Sequence, residues 1–493
     1  MPLGETIAAA ATPPGESALA LVRASGPLVP ALAAAILGRA AGQIPAPRQA
    51  TFGHYHPLAG EALDQIVLTH YAAPASATGE HLLEIACHGN PLIIRRILDD
   101  LCARGCRPAR PGEFTRTAFL AGKLDLAQAE AVADLIRARS DAALRAARRQ
   151  LDGELSRRIQ EFSDTLLQIQ AEVEAYIDFP EEDLPPENSA ALAAKIAPLA
   201  AASEHLLATA RYGSLLRNGA SAVILGAPNA GKSSLLNALL GRPRAIVSPQ
   251  PGTTRDFIEE TFQAGPYAIQ ITDTAGIPAD SQPRTKHQER EHIAPAPISP
   301  LPASTLDSIE REGINRALEK IATADFLLLV LDSTIAPPTL PQSVLDVITP
   351  LNTLVLENKT DLSGSIPRDS FLADCKHVRI STKTGAGLDT LRTTLVSALE
   401  KSYAIPHDDL VLTTLRHADT LRLTRTALLA ALEQFPSSIS PAPNSALPAP
   451  RSISAELLAA HLGDALASLG EILGHPDHDA MLDHLFANFC IGK

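Results

Sequence analysis

An α/β domain inserted between two halves of a helical domain, behind a small N-terminal α+β domain, is the fold class that three observations predict. The stretch Gly226-Ala-Pro-Asn229-Ala230-Gly231-Lys232-Ser233-Ser234 follows the apolar run Ser221–Leu225 and precedes Leu235–Leu240, so a buried strand turns through a glycine-containing loop into a helix. Long Ala/Leu/Arg/Glu stretches with apolar residues three and four apart flank that segment on both sides. Residues 1–121 instead alternate short apolar runs with turn signals. The resulting boundaries are 1–121, 122–217, 218–402 and 403–493, with 122–217 and 403–493 forming one discontinuous helical domain.

In the N-terminal domain, Leu19–Ala24, Asp64–Thr69 and His81–Ile85 predict strands and Pro91–Leu98 a helix, separated by turns such as Thr12-Pro-Pro-Gly15 and Pro111-Gly112. From Leu124 to Ala210 the texture is helical, with Leu126, Ala129, Ala133 and Ile136 marking an apolar face. These faces need further helix to bury them, and it arrives only at Leu415–Phe435, Ala455–Ile472 and Asp479–Phe489. The inserted domain then joins the helices at two attachment points. Arg137, Arg139, Arg145, Arg148, Arg149, Arg157 and Arg158 suit contacts to RNA phosphates, but the interleaved Asp134, Asp141, Asp152 and Glu154 favour an ordinary solvated helix face. The Pro/Ser/Ala-rich stretches 282–304 and 436–450 read as exposed, poorly ordered loops.

The inserted domain carries four elements of one binding chemistry. The loop glycines let backbone amides cradle phosphate oxygens at a helix N-terminus, Lys232 reaches the β/γ-phosphates, and the Ser233 hydroxyl suits Mg²⁺. Downstream, Asp273-Thr274-Ala275-Gly276 ends an apolar strand in the D-x-x-G pattern, where the carboxylate holds Mg²⁺ through water and the glycine amide senses a γ-phosphate. Another strand ends on Asn358-Lys359-Thr360-Asp361, whose Asp361 accepts the paired N–H donors of guanine, an arrangement adenine lacks. Ser381-Thr382-Lys383, after His377–Ile380, completes the base pocket. Their order and strand-end placement predict a Ras-like P-loop GTPase domain that binds GTP.

At 493 residues the chain accommodates about three domains. Its 42 basic against 55 acidic side chains give −13, which excludes wholesale nonspecific coating of nucleic acid while leaving room for a local RNA site. Five scattered cysteines argue against a disulfide framework and for a reducing compartment. Cys102 and Cys106 are spaced for one helix face, and with no second Cys/His pair following they read as buried thiols. No apolar run approaches the ~20 residues that span a bilayer, and no basic-then-apolar leader opens the sequence. The expectation is a soluble, cytoplasmic protein with no membrane partner.

The chain resembles the bacterial tRNA modification GTPase family MnmE, also called TrmE. The resemblance is carried by Ala11-Thr-Pro-Pro-Gly15, Arg110-Pro-Gly-Glu-Phe114, the run from Ala118 to Glu130, Ile177-Asp-Phe-Pro180, Gly213-Ser-Leu-Leu216, Gly252-Thr253-Thr254-Arg-Asp256 and Phe489-Cys490-Ile-Gly-Lys493. It implies a homodimer whose N-terminal, folate-binding-like domain takes 5-formyltetrahydrofolate or a related tetrahydrofolate. It also implies a heterotetramer with the FAD-containing protein MnmG that modifies C5 of the wobble uridine of certain tRNAs. The chain departs from the family pattern at Thr117–Ala121, at His88-Gly89-Asn90, and in the longer loop 282–304 within switch II.

Site roles follow from the same resemblance. K⁺ takes the place of an arginine finger, held by the Asn229 side chain, the Ser248–Gln250 backbone and the loop up to Thr253, with Thr254 and Ser233 on Mg²⁺. Ile277 stands where a Gln would orient the attacking water, and the role passes to Glu310, matched through Glu310-Arg-Glu-Gly313-Ile-Asn-Arg316. Glu289 and Glu291 compete, because the long loop blurs the register. Arg23, Glu84, Lys123 and Lys493 are the folate contacts by motif position. Glu84 sits at an alternating position of an apolar strand, where an unpaired charge is costly, so a ligand or partner role is favoured. Phe489 anchors the tail on the helical domain and brings Cys490 beside the folate, as a nucleophile or proton donor. A regulatory or ribosome-assembly switch GTPase with no direct part in tRNA modification is the alternative that the G domain alone does not separate.

Overall fold

The structure, a computed structural model, describes residues 4–40, 42–178, 186–241, 258–273, 319–362, 370–403, 410–435, 454–474, 482, 485–487, 489, 490 and 492. They divide into two compact units, one of Met1–Arg137, Ala146–Ala208 and Thr414–Lys493, the other of Ala138–Arg145 and Thr209–Thr413.

The first unit opens with a six-stranded sheet: β1 (Ile7–Ala10), β2 (Ser17–Ser25), β3 (Thr51–His54), β4 (Gln65–Tyr71), β5 (Leu82–Gly89) and β6 (Arg107–Pro108), in the order β3-β4-β5-β2-β1-β6. The pairs are antiparallel except β1 with β6. Strand alternation splits the residues between two faces. Ala20, Val22 and Ala24 of β2 join Ile66, Leu68, Leu83 and Ile85 in the core beneath α1 (Val29–Ile36) and α2 (Pro91–Ala103). The opposite face carries Arg23 and Glu84, and beside them a row of residues paired across four strands, Phe52, Val67, Ala86 and Leu21. The predicted strands are each present and longer. Missing from the sequence reading are β1, β3 and α1, because four-residue strands and an Ala-rich helix give little periodic signal. The Asn90 side chain caps α2 by accepting from Leu92 N at 2.8 Å, and the helix runs to Ala103 rather than Leu98. Cys106 lies past its end, so the expected shared helix face with Cys102 is corrected; burial pushes the Cys106 thiol up to about 11.

The further helices of this unit are α3 (Glu113–Leu120), α4 (Leu126–Arg137), the C-terminal part of α5 (Asp141–Leu151), α6 (Glu154–Asp178), α7 (Pro186–Ala208), and the later Leu415–Leu432 and Ala455–Leu473. Ala455–Leu473 packs on Leu415–Leu432 and on α6, while Leu415–Leu432 also packs on α7, so helices from both sides of the inserted segment share one core. Leu126, Ala129 and Ala133 are buried as the periodicity predicts, but Ile136 in the last turn of α4 is exposed. Arg149 pairs with Glu154 at 2.7 Å and Arg158 with Glu161 at 3.1 Å, which fits a solvated face there, whereas Asp134 is buried. Near the chain end, Leu482 and Phe486 pack with Phe119, Leu126 and Ala129, and Phe489 rests against the same cluster. The stretches 282–304 and 436–450 lie outside the described residues.

The second unit is built on β7 (Ala220–Leu225), β8 (Ile258–Ala264), β9 (Tyr267–Asp273), β10 (Phe326–Asp332), β11 (Thr353–Asn358) and β12 (Lys376–Arg379), in the order β12-β11-β10-β7-β9-β8. All pair in parallel except β8, which runs antiparallel to β9. That is the strand order of the Ras-like GTPase fold. Helix α8 (Ala210–Asn218) leads into β7, α9 (Lys232–Leu240) follows it, and Leu388–Tyr403 follows β12. The chain also enters this unit earlier, at Ala138–Arg145, which the sequence did not predict. That segment lies along the β8–β9 hairpin: Ala142 N donates to Pro266 O at 3.2 Å, Arg139 Nη1 to Thr261 Oγ1 at 3.2 Å, and Gln263 Nε2 to Arg139 O.

Candidate functional site

The six residues of β7 are apolar or small and nearly all buried, so the strand ends abruptly where glycine first permits a turn. Gly226 has φ 148°, and a β-carbon there would meet Val330 O at 2.4 Å, so only glycine lets the loop leave the sheet beside β10. Asn229 at φ 61° and Gly231 at φ 101° complete the turn into α9, whose first residue is Lys232. Helix α9 presents its N-terminal end to this loop, and the amides of a helix's first turn are suited to bind an anion. Lys232 Nζ donates to Gly226 O and Ala227 O, each at 2.9 Å, so the ammonium is held over the loop that a phosphate would fill. Ser233 and Ser234 stand in the first turn of α9, and Ala230 is buried beneath it.

The base side is tied to this loop through one buried amide. Asn358, at the end of β11, donates from Nδ2 to Ala230 O at 2.9 Å and accepts at Oδ1 from Thr382 N at 3.1 Å. Phosphate loop and base loop are thereby set relative to each other by a side chain that is 1% exposed. Asp361 Oδ1 accepts from Ser381 Oγ at 2.7 Å, a bond that holds its carboxyl below the usual range and keeps it ionised for a donor pair. The buried Ser381 also takes the Thr384 amide at 3.2 Å, which folds the Ser381-Thr382-Lys383 turn back toward Asp361. Lys359, at φ 66°, extends to Asp332 on the neighbouring β10, with Nζ to Oδ2 at 2.6 Å. Asp332 was not singled out from the sequence, although an acid closing the run Phe326–Leu331 repeats the pattern by which Asp273 closes β9.

Asp273 is the last residue of β9. Thr274, Ala275, Gly276, Ser248, Gln250, Thr253, Thr254, Glu310 and Lys493 lie outside the described residues. Of the donor set expected for the two ions, Asn229 and Ser233 are therefore the described members. Both stand at the mouth of the phosphate loop, and both offer the oxygen donors that Mg²⁺ and K⁺ take.

On the N-terminal sheet, Arg23 of β2 lies directly opposite Glu84 of β5. Arg23 Nη2 and Nε reach Glu84 Oε1 at 2.6 and 2.9 Å, and Tyr71 donates to Glu84 Oε2 at 3.1 Å. Glu84 thus has the partner that the cost of an unpaired charge on an apolar strand calls for, supplied by Arg23 and Tyr71. Burial, with the Glu84 charge beside it, raises the Tyr71 phenol, so Tyr71 stays a donor to that carboxylate. Tyr71 was missed from the sequence for want of any signal beyond the strand period. Lys123 is exposed just after α3, its stem beside Gly79. The tail reaches the same domain. Cys490 is an exposed free thiol whose carbonyl accepts from Gly112 N at 3.2 Å, and Gly492 lies so close to β1 that a β-carbon would meet Ala10 O at 2.3 Å. Ala9 of that strand pairs with Arg23.

A family model described as the MnmE helical domain matches residues 126–490, and one described as the GTP-binding protein TrmE N-terminus matches residues 6–123. The chain is 45% identical over 493 residues to the tRNA modification GTPase MnmE of Opitutus terrae, covering 100% of both chains. It is 39% identical to that of Akkermansia muciniphila and 38% identical to that of Geotalea uraniireducens, each over 491 residues and 99% of both chains. Among solved structures, the G domain of the T. maritima FeoB iron transporter is 24% identical, covering 36% of this chain and 98% of that one at a TM-score of 0.25. The full-length relatives and the helical-domain match decide the assignment: the chain belongs to the MnmE family of tRNA modification GTPases.

Proposed function

We propose that the chain hydrolyses GTP as the switch-bearing component of an enzyme that modifies C5 of the wobble uridine of certain tRNAs. The observation that carries the GTP reading is the Asn358 amide, which joins the phosphate loop to the base loop and so presents Lys232 and Asp361 to the two ends of one nucleotide. Lys232 draws the β/γ-phosphates, the α9 amides hold their oxygens, and Asp361, kept ionised by Ser381, accepts the guanine N–H pair. Glu310 orients the attacking water. Mg²⁺ on Ser233 and Thr254, and K⁺ on Asn229, Ser248, Gln250 and Thr253, supply positive charge against the phosphates when bound.

In the same reading the N-terminal sheet binds a tetrahydrofolate that carries the one-carbon unit. Arg23, Glu84, Lys123 and Lys493 are the contacts assigned to it, and Arg23 and Glu84, paired at 2.6 Å, act together at one end of the ligand. Two observations support it. The Arg23–Glu84 pair is half-buried on the open face of the sheet, and the tail bearing Cys490 is seated at the end of β1. The exposed Phe52 and Val67 on that face suit a homodimer contact, since an apolar row paired across strands loses water when a second copy covers it. The FAD-containing partner MnmG completes the assembly.

The test is mass spectrometry of wobble nucleosides from a deletion strain complemented with this chain. Restored C5 modification together with GTP turnover in the purified protein is expected. Restored growth with no C5 modification would favour the regulatory switch instead.

A further inference from the structure

Parallel pairing of β10 and β11 puts Asp332 opposite Asn358, one residue before Lys359. The carboxylate of Asp332 is almost fully shielded, with a side chain 10% exposed, and each oxygen has its own donors. Oδ2 takes Lys359 Nζ at 2.6 Å; Oδ1 takes Thr334 N at 2.9 Å and Thr334 Oγ1 at 2.6 Å. Ser333, between them, donates from N and Oγ to Asn358 O at 3.0 and 2.8 Å. The ends of the two strands are therefore latched at the point where the chain turns toward Asp361. Burial alone would raise the Asp332 carboxyl, but the Lys359 ammonium and the two Thr334 bonds outweigh it and hold the group ionised.

We propose that Asp332 is a positioning residue for nucleotide binding, which tethers the Lys359 ammonium and so presets the lysine stem beside the guanine edge that Asp361 reads. A free lysine side chain loses more rotamer freedom on ordering than almost any other. Lys359 is also in the left-handed region, which a lysine seldom occupies. Asp332 meets both costs before the nucleotide arrives, and preorganisation of that kind appears in affinity rather than in turnover. The ion pair is too exposed on the lysine side, at 31%, to matter much for stability alone. This inference rests on the reading of Asp361 as the guanine contact.

The experiment measures the affinity of the full chain for a fluorescent GDP in the parent, Asp332→Asn, Asp332→Glu, Lys359→Ala and the double variant Asp332→Asn/Lys359→Ala. Asp332→Asn is expected to weaken GDP binding about tenfold, the cost of ordering an untethered lysine side chain on binding. GTP turnover at saturation should stay within about twofold, and Asp332→Glu should recover part of the affinity. The double variant should bind no more weakly than Lys359→Ala, because the two residues act as one device. Parent-like GDP affinity in Asp332→Asn, or losses that add in the double variant, would overturn the proposal. Asp361→Asn, measured alongside, should exchange guanine for xanthine preference, since an amide N–H meets the xanthine carbonyl. Failure of that arm overturns the guanine reading and the proposal with it; its success with silent Asp332 variants overturns the proposal alone.

Discussion

Replacing Glu130 by glutamine keeps the shape of a buried side chain and removes its charge. Glu130, on α4, lies in a cluster with two residues from the opposite sequence flank: Arg416 Nε donates to Oε1 at 2.7 Å, and His417 Nε2 lies 3.0 Å from Oε2. Arg416 continues to the carbonyls of Glu471 and Ile472 at 2.6 and 3.2 Å, so the cluster ties together three helices of the first unit. Burial alone would raise the Glu130 carboxyl, but His417 and then Arg416 outweigh it and bring it from 4.5 to about 2. A drop of that size corresponds to about 3 kcal/mol of stability. Folding lowers the pKa, so the unfolded chain binds the proton more tightly. The contribution is complete above the unfolded value of 4.5 and is lost as the pH falls from there through about 2. Urea unfolding of Glu130→Gln at pH 7 should therefore show the first unit weakened by about 3 kcal/mol, and the gap to the parent should narrow by roughly 1 kcal/mol at pH 4. An unchanged urea midpoint at pH 7, or a deficit as large at pH 4 as at pH 7, would refute the assignment of the charge to this cluster.

Further outcomes follow at the two sites. Gly226→Ala places a methyl 2.4 Å from Val330 O at φ 148°, and is expected to cost at least about 2 kcal/mol in thermal unfolding and to abolish GDP binding; a variant that melts and binds like the parent would show that the loop can move aside. GTP turnover should be much faster in K⁺ than in Na⁺, with the difference lost in Asn229→Ala; equal parent rates in the two salts would remove K⁺ from the site. Cys490→Ser, at an exposed thiol remote from the nucleotide chemistry in sequence, should leave GTP hydrolysis intact and abolish wobble modification. Normally modified uridine in that strain would make the thiol structural.

Much of the nucleotide site is legible in the sequence because its chemistry needs particular residues at strand ends. Lys232, Asn358, Asp361 and Ser381 each follow an apolar run or close one, and the fold brings their loops together as the order of motifs implies. What escaped is pairing between strands. Asp332 meets Lys359, and Tyr71 and Arg23 meet Glu84, only because registers align residues far apart in sequence, and no local period encodes a register. The Glu84 reading was incomplete for that reason: the strand pattern showed that the charge needs a partner but not that the arginine opposite supplies it. Ile136 failed differently, since apolar spacing marks a helix face without saying where along the helix the neighbouring packing stops.

The β8–β9 hairpin shows what domain boundaries drawn from composition conceal. Its first strand begins at Ile258, two residues after the Gly252–Asp256 motif, and its second ends on Asp273, the first residue of D-x-x-G. The hairpin is thus continuous with both segments that read the γ-phosphate in a Ras-like domain. Along it lies Ala138–Arg145, the connection from α4 together with the first residues of α5. The hydrogen bonds of Arg139 to Thr261, of Gln263 to Arg139 and of Ala142 to Pro266 hold that segment in place. Arg139→Ala with Gln263→Ala removes the two side-chain bonds and leaves the backbone one, a loss of about 1–2 kcal/mol for exposed bonds. Hydrogen exchange at the Ala142 amide should then quicken by about tenfold or more, while GDP affinity, set at Lys232, Asn358 and Asp361, holds. Exchange at the parent rate would mean that the backbone bond and the burial of Ala142 and Ala143 suffice, and that the side chains of Arg139 and Gln263 do not fasten the segment to the hairpin.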